Sequence, residues 1–145
     1  MTASLLDTNV LVYANNADSP FHTPCRALVE KALSGGMEAV IAVQNLVELY
    51  AIITDKRRVE RPLSPDDGRK LIEFYATTDK LRIISPSAKS LSILTSLMAE
   101  QKPKSQNIFD FMLVAAMIEN AVSAIYTYNV DHFTPFKTLT VLRPH

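Results

Sequence analysis

Residues 4–13, SLLDTNVLVY, carry the most informative pattern of the chain. The segment is apolar on both sides of one carboxylate, Asp7, and no other charged residue occurs before Asp18. The residues ahead of Asp7 predict a short buried strand over 3–6, and the pair Thr8-Asn9 predicts a turn or helix cap. Because an isolated carboxylate is costly to bury, we expect Asp7 to meet a metal ion or a cationic side chain from a distant part of the chain.

The composition indicates one ordinary globular domain, residues 1–145, in which 48% of the residues are apolar and 21% are charged. A formal net charge of zero neither requires nor excludes a nucleic-acid partner. The single cysteine, Cys25, can form no internal disulfide, so the fold needs no oxidising compartment. The N-terminal apolar run lacks a basic flank and is interrupted by Asp7, which predicts neither a signal peptide nor a membrane span. We therefore expect a cytoplasmic protein.

Hydrophobic periodicity predicts strands that alternate with helices. The strands are predicted at 3–6, 38–42, 81–84, 123–126 and 138–142, and the helices at 9–17, 24–33, 43–54, 64–77, 88–100 and 107–120. This alternation predicts an α/β fold with a parallel sheet of about five strands, covered by helices on both faces. Sites in open α/β sheets form beyond the carboxyl ends of the strands, which is where the pattern places Asp7.

Two further carboxylates are isolated in the sequence. Glu48 is the only charged residue within 39–54 and lies on the helix that follows the second strand. Asp110 is the only charged residue within 105–118 and lies in the first turn of the most apolar helix. The helix dipole stabilises an acid in that turn by about 0.3–1 kcal/mol, which is too little to offset the burial of a charge.

Three isolated acids at one rim of a sheet would repel one another, and a divalent cation removes that conflict. Hard oxygen ligands favour Mg²⁺ or Mn²⁺. Such an ion activates water and stabilises the leaving oxygen in phosphodiester hydrolysis. Each acid taken alone is equally compatible with a helix cap or a solvated surface position. The three together favour a metal site, because none of them has a cationic partner nearby in sequence.

The segments LLDTNVLVYA, AVQNLVELYAIITDKRR and NIFDFMLVAAMIENAVSAIYTYNVDHF resemble, in this order, the PIN domain, and most closely the VapC-type toxins of toxin–antitoxin pairs. The resemblance covers essentially the whole chain. It implies a three-layer α/β/α fold (RNase H-like or flavodoxin-like), metal-dependent endoribonuclease activity, a homodimer and a small antitoxin that inhibits the enzyme. By position, the three acids of the family correspond to Asp7, Glu48 and Asp110, and Thr8 and Asn9 match the polar residues after the first acid.

The fourth acidic position of the family departs from this pattern. The best-aligned residue is Asn129, and Asp131 follows two positions later. An amide oxygen can accept from a water or bind a metal, but it brings no negative charge. The resemblance therefore leaves open whether one or two metals bind, with Asn129 or Asp131 holding the attacking water or a second ion.

Two groups of basic residues flank the predicted site in the sequence. One follows the Glu48 helix and the other, of less weight, precedes Asp110. The first group could contact RNA phosphates, and it is equally compatible with a role in solubility alone. The groups are Lys56, Arg57, Arg58 and Arg61, and then Lys102 and Lys104.

The leading hypothesis is a Mg²⁺- or Mn²⁺-dependent endoribonuclease that acts as the toxin of a type II toxin–antitoxin pair. A phosphatase with Asp7 as nucleophile is one rival, although the family that it would resemble requires a second acid two residues on, where Asn9 stands. The other rival is a non-catalytic PIN relative that binds RNA or protein, which Asn129 motivates. With three glycines in all, a nucleotide-binding P-loop is excluded.

Overall fold

The computed structural model describes residues 2–145, so Met1, the first residue of the predicted domain, lies outside it. The strands are β1 (Ser4–Leu6), β2 (Ala39–Ala42), β3 (Leu81–Ile84), β4 (Ala124–Tyr126) and β5 (Thr140–Leu142). The helices are α1 (Thr8–Ala14), α2 (His22–Leu33), α3 (Val43–Ile53), α4 (Pro65–Thr77), α5 (Ser90–Gln101), α6 (Ile108–Glu119) and α7 (Val130–Phe133), with a 3₁₀ turn at Ser105–Asn107. The predicted alternation of five strands with helices is confirmed.

All five strands run parallel in one sheet, in the spatial order β3-β2-β1-β4-β5. The chain moves outward from β1 through β2 to β3, then returns to the other side of β1 and adds β4 and β5. The direction of winding therefore reverses between β1 and β4, and such a reversal opens a crevice at the carboxyl ends of the strands. Asp7 follows β1 directly and Thr127 follows β4 directly, so both lie at this crevice.

Helices cover both faces of the sheet because successive strand residues point to opposite sides. Leu6 and Ile41 pack against α1 to α4 in one core cluster. Leu5 and Val40 pack against α5, α6 and α7 in the other. The chain thus forms the predicted three-layer α/β/α arrangement.

Two local differences from the sequence prediction have clear causes. The helix predicted at 9–17 begins one residue earlier, because Asp7 caps it, and it ends at Ala14. Just beyond that end, the amide of Asn15 donates to the carbonyl of Leu11 at 2.9 Å. Helix α7, which was not predicted, has only four residues and so has no periodicity to detect. Within residues 2–145, no helix has the length and apolar character needed to cross a bilayer.

Candidate active site

Asp7 lies at the carboxyl end of the central strand β1 and caps the N-terminus of α1. Its Oδ1 accepts a hydrogen bond of 2.8 Å from the backbone N–H of Thr8, and only 8% of the residue is exposed. Its Oδ2 accepts a hydrogen bond of 2.8 Å from the hydroxyl of Thr127, the first residue after β4. The cap and the neighbouring strand therefore fix both carboxylate oxygens.

Burial is the main influence on the ionisation of Asp7. Loss of hydration raises its pKa from 3.8 to about 6, against the lowering effect of the bonds from Thr127 and Thr8. The negative charges of Asp110 and Glu48 raise the pKa further. The other two isolated acids of the sequence therefore lie close enough to Asp7 to influence its ionisation.

Glu48 lies on α3 and is exposed, but hydrogen bonds connect it to the buried end of β1. Its Oε2 accepts from the hydroxyl of Thr8 at 3.2 Å. That hydroxyl accepts in turn from the amide of Asn45 at 3.1 Å. The carbonyl oxygen of Asn45 accepts from the backbone N–H of Ala42 at 2.9 Å, which secures the start of α3. One amide therefore fixes α3 and, through Thr8, the position of Glu48.

Asn45 was not predicted as a site residue, although its position in the sequence indicated that it needs a polar partner. It is a polar side chain inside the apolar stripe of α3, and it is 1% exposed. A buried amide in such a stripe requires polar partners. Thr127 gave a weaker signal, since a threonine at the end of a strand is common; only the pairing of β1 with β4 brings it to Asp7.

Asp110 lies in the first turn of α6 and is half-buried. Burial raises the pKa of its carboxyl, and the charge and hydrogen bond of His132 oppose that rise. Nδ1 of His132 and Oδ2 of Asp110 are 3.0 Å apart. His132, on the short helix α7, therefore fixes one of the two oxygens of Asp110 and leaves the other available.

One polar pocket of about 490 Å³ unites the predicted acids. Asp7, Glu48 and Asp110 line it together with Asn129. Asp131 does not line this pocket; it lines an adjoining one that shares Asp110 as a wall. Of the two alternatives for the fourth position, Asn129 shares a pocket with all three acids and Asp131 does not.

The donor set fits a hard divalent cation. Within residues 2–145, no basic side chain pairs with Asp7 or Glu48. The Oε1 atom of Gln44, which also lines the pocket, is buried and has no hydrogen-bond partner in the part of the chain that the structure describes. Among the same residues, no three His, Cys, Asp or Glu side chains converge into a closed ligand cluster. Mg²⁺ does not require such a cluster, because it keeps several waters and takes only one or two carboxylates directly.

The basic cluster after α3 divides into paired and unpaired residues. Arg57 pairs with Asp55 at 3.1 Å and Arg61 pairs with Asp18 at 3.0 Å, both on the surface. Arg58 lines the pocket of the three acids. Of the four basic residues singled out in this stretch, Arg58 alone faces the site.

Comparisons with known proteins agree with this geometry. Residues 4–136 match the family model described as PIN domain. Two Mycobacterium tuberculosis proteins are similar in sequence. Ribonuclease VapC24 is 27% identical over 132 residues, which cover 90% of this chain and 89% of the relative. Ribonuclease VapC48 is 24% identical over 138 residues, which cover 95% of this chain and 94% of the relative.

Solved structures show the same fold. The Mycobacterium tuberculosis toxin VapC20, described as cleaving the Sarcin-Ricin loop, superposes with a TM-score of 0.68 at 12% identity, covering 93% of this chain and 95% of that one. VapBC2 from Rickettsia felis, bound to a DNA fragment from the promoter, gives a TM-score of 0.68 at 18% identity and covers 99% of this chain and 100% of that one. The family match, which spans nearly the whole sequence, together with the five-stranded parallel sheet, shows that this chain belongs to the PIN domain family.

Proposed function

We propose that this chain is an endoribonuclease that hydrolyses RNA phosphodiester bonds with the help of Mg²⁺ or Mn²⁺. The observation that carries the proposal is that Asp7, Glu48 and Asp110 line one pocket at the point where the sheet reverses its winding. They come from β1, α3 and α6, so only the folded chain assembles them. The ribonuclease names of the sequence relatives support the same reaction class.

Asp7, Glu48 and Asp110 are the residues that would hold the metal. When bound, a divalent ion activates a water for attack on phosphorus and stabilises the leaving oxygen. Thr127 and Thr8 keep the Asp7 carboxylate in one orientation, so little reorganisation is needed when substrate arrives. In this proposal the side-chain oxygen of Asn129 accepts a hydrogen bond from the attacking water and orients it.

Asp7→Asn is the direct test of the reaction. The amide keeps an oxygen that can accept from Thr8 N–H but removes the charge, so we expect a folded protein whose RNA cleavage is lost. Glu60→Gln is the matched control, because it removes an exposed acid that lines neither pocket, and it should cleave at the parental rate. Cleavage by Asp7→Asn at the parental rate would overturn the assignment.

Titration with Mn²⁺, followed by electron paramagnetic resonance, separates the active enzyme from an inert relative. We expect saturable binding to the parent and strongly weakened binding to Asp7→Asn. Negligible binding to the parent, together with no metal-dependent cleavage, would support a PIN relative that binds RNA or protein without catalysis.

We further propose that the activity belongs to a toxin and that a small antitoxin inhibits it. The relatives carry VapC names, and one structural neighbour is a toxin–antitoxin complex from Klebsiella pneumoniae. The test is co-expression with the product of a short reading frame adjoining the gene: that product should form a stable complex with the chain and block RNA cleavage. Sedimentation velocity of the purified chain tests the homodimer that the resemblance implies.

A further inference from the structure

The pocket of the three acids adjoins a second pocket of about 480 Å³, and Asp110 lines both. The second pocket also contains Asp131, His132, Lys102 and Lys104. Asp110 is thus a shared wall with an open volume on either side. A ligand that passes over Asp110 has room to continue in both directions.

The first pocket contains one basic side chain, Arg58, among its lining residues. Within residues 2–145, Arg58 forms no ion pair, whereas its neighbours Arg57 and Arg61 do. Its backbone is held in a turn, since the N–H of Arg58 donates to the carbonyl of Asp55 at 2.9 Å. The next residue, Val59, is 4% exposed and anchors that turn in the core. The guanidinium group is therefore available to a ligand, on a backbone that is fixed.

The second pocket carries two lysines on the loop between α5 and α6. Lys102 and Lys104 are exposed and form no ion pair with any residue in the described part of the chain. Lys102 ends α5 in the left-handed conformation, with φ of 51° and a 2.9 Å bond from its N–H to the carbonyl of Met98. Glycine is the residue that favours this conformation, so a lysine there adopts it at a cost.

An exposed aromatic side chain lines the first pocket beside Asp110. Phe109 is 55% exposed, lines the first pocket and precedes Asp110. Aromatic faces bind the bases of single strands by stacking, with little dependence on sequence. A single-stranded nucleic acid that crosses Asp110 could therefore stack one base on Phe109, next to that acid.

We propose that single-stranded RNA runs through both pockets, with Arg58 binding a phosphate on one side of the scissile bond and Lys102 and Lys104 binding phosphates on the other. The inference rests on the proposed ribonuclease function and adds the path of its substrate. Three acids repel a polyanion, and the chain has no net charge to attract one. Local cations on both sides of the acids supply the attraction that overall charge does not.

Binding of a labelled single-stranded oligouridylate, measured by fluorescence anisotropy in EDTA, tests the path. We expect Arg58→Gln and Lys102→Gly each to weaken binding about tenfold, the loss of one charge-assisted contact. Each should also lower the slope of log K against log salt by about 0.7, the value for one single-strand phosphate. Lys102→Gly removes the side chain at a position where glycine is favoured, so weaker binding by this variant does not arise from unfolding.

Lys56→Gln is the matched control, because it removes one exposed charge of the same basic cluster that lines neither pocket. Binding by Arg58→Gln and Lys102→Gly at the level of Lys56→Gln would overturn the proposed path. So would an effect of Arg58→Gln alone, since the strand would then occupy one pocket.

Cleavage assays on the same variants separate this inference from the proposed function. If both hold, Arg58→Gln and Lys102→Gly raise KM and leave kcat within a few-fold of the parent. If the parent binds RNA through these residues but never cleaves it with Mn²⁺, the path holds and the enzymatic proposal fails. If all variants cleave with parental KM, the enzymatic proposal holds and the path fails.

Discussion

The hydroxyl of Thr127 donates a hydrogen bond of 2.8 Å to Oδ2 of Asp7 across 120 positions of sequence. The same oxygen of Thr127 accepts from the backbone N–H of Asn129 at 3.0 Å. The fully buried side chain of Thr127 therefore connects Asp7 to the loop that carries Asn129. The bond crosses from β1 to β4, where the winding of the sheet reverses.

Replacing that hydroxyl should affect stability and ionisation together. Thr127→Val keeps the shape of the side chain but removes the 2.8 Å hydrogen bond to Oδ2 of Asp7 and the acceptor of the Asn129 N–H. We expect the free energy of unfolding to fall by about 1–3 kcal/mol. Because the lost bond normally lowers the pKa of Asp7, that pKa should rise. Urea unfolding and an NMR titration of the carboxyl check the two effects, and Thr127→Ser, which keeps the hydroxyl, should show neither.

The raised pKa of Asp7 predicts how stability depends on pH without metal. An acid whose pKa is about 6 in the folded chain and 3.8 in the unfolded chain favours folding while it is protonated. That contribution declines as the pH rises from about 4 and is lost above the folded pKa. It amounts to about 3 kcal/mol. Unfolding in EDTA should show this decline in the parent relative to Asp7→Asn; parallel pH profiles would contradict it.

Glu48→Gln should separate metal binding from folding. The glutamine keeps an oxygen to accept from Thr8, and the side chain is exposed, so thermal unfolding should be unchanged. The loss of one ligand charge should weaken Mn²⁺ binding at least about tenfold. Isothermal titration calorimetry measures the affinity, and Glu60→Gln, which removes an acid outside both pockets, should bind as the parent does.

The fourth position can be tested by restoring the acid. Asn129→Asp adds a carboxylate at an exposed position that lines the pocket of Asp7, so Mn²⁺ should bind more tightly and cleavage should persist. Asp131→Asn removes an acid from the adjoining pocket and should leave Mn²⁺ affinity unchanged. Weaker Mn²⁺ binding by Asp131→Asn, together with unchanged affinity in Asn129→Asp, would assign the fourth position of the site to Asp131.

The sequence by itself predicted the architecture and singled out three acids that line one pocket in the folded chain. Strands and helices were predictable because apolar periodicity reports which face of each element is buried, and that pattern is local. Asp7, Glu48 and Asp110 stood out because each is the only charged residue in a long stretch of otherwise uncharged residues. The resemblance to the PIN domain, confirmed by the family match, rests on these same segments.

Only the tertiary structure decided which polar residues position the acids through hydrogen bonds. Thr127 and Asn45 reach Asp7 and Thr8 through strand pairing and helix packing, and no local pattern encodes those contacts. The same holds for the basic residues: Arg57, Arg58 and Arg61 are alike in sequence, yet one faces the pocket and two pair on the surface. The pattern of burial can be read from local hydrophobic periodicity, whereas the partners of a polar group depend on elements that come together only on folding.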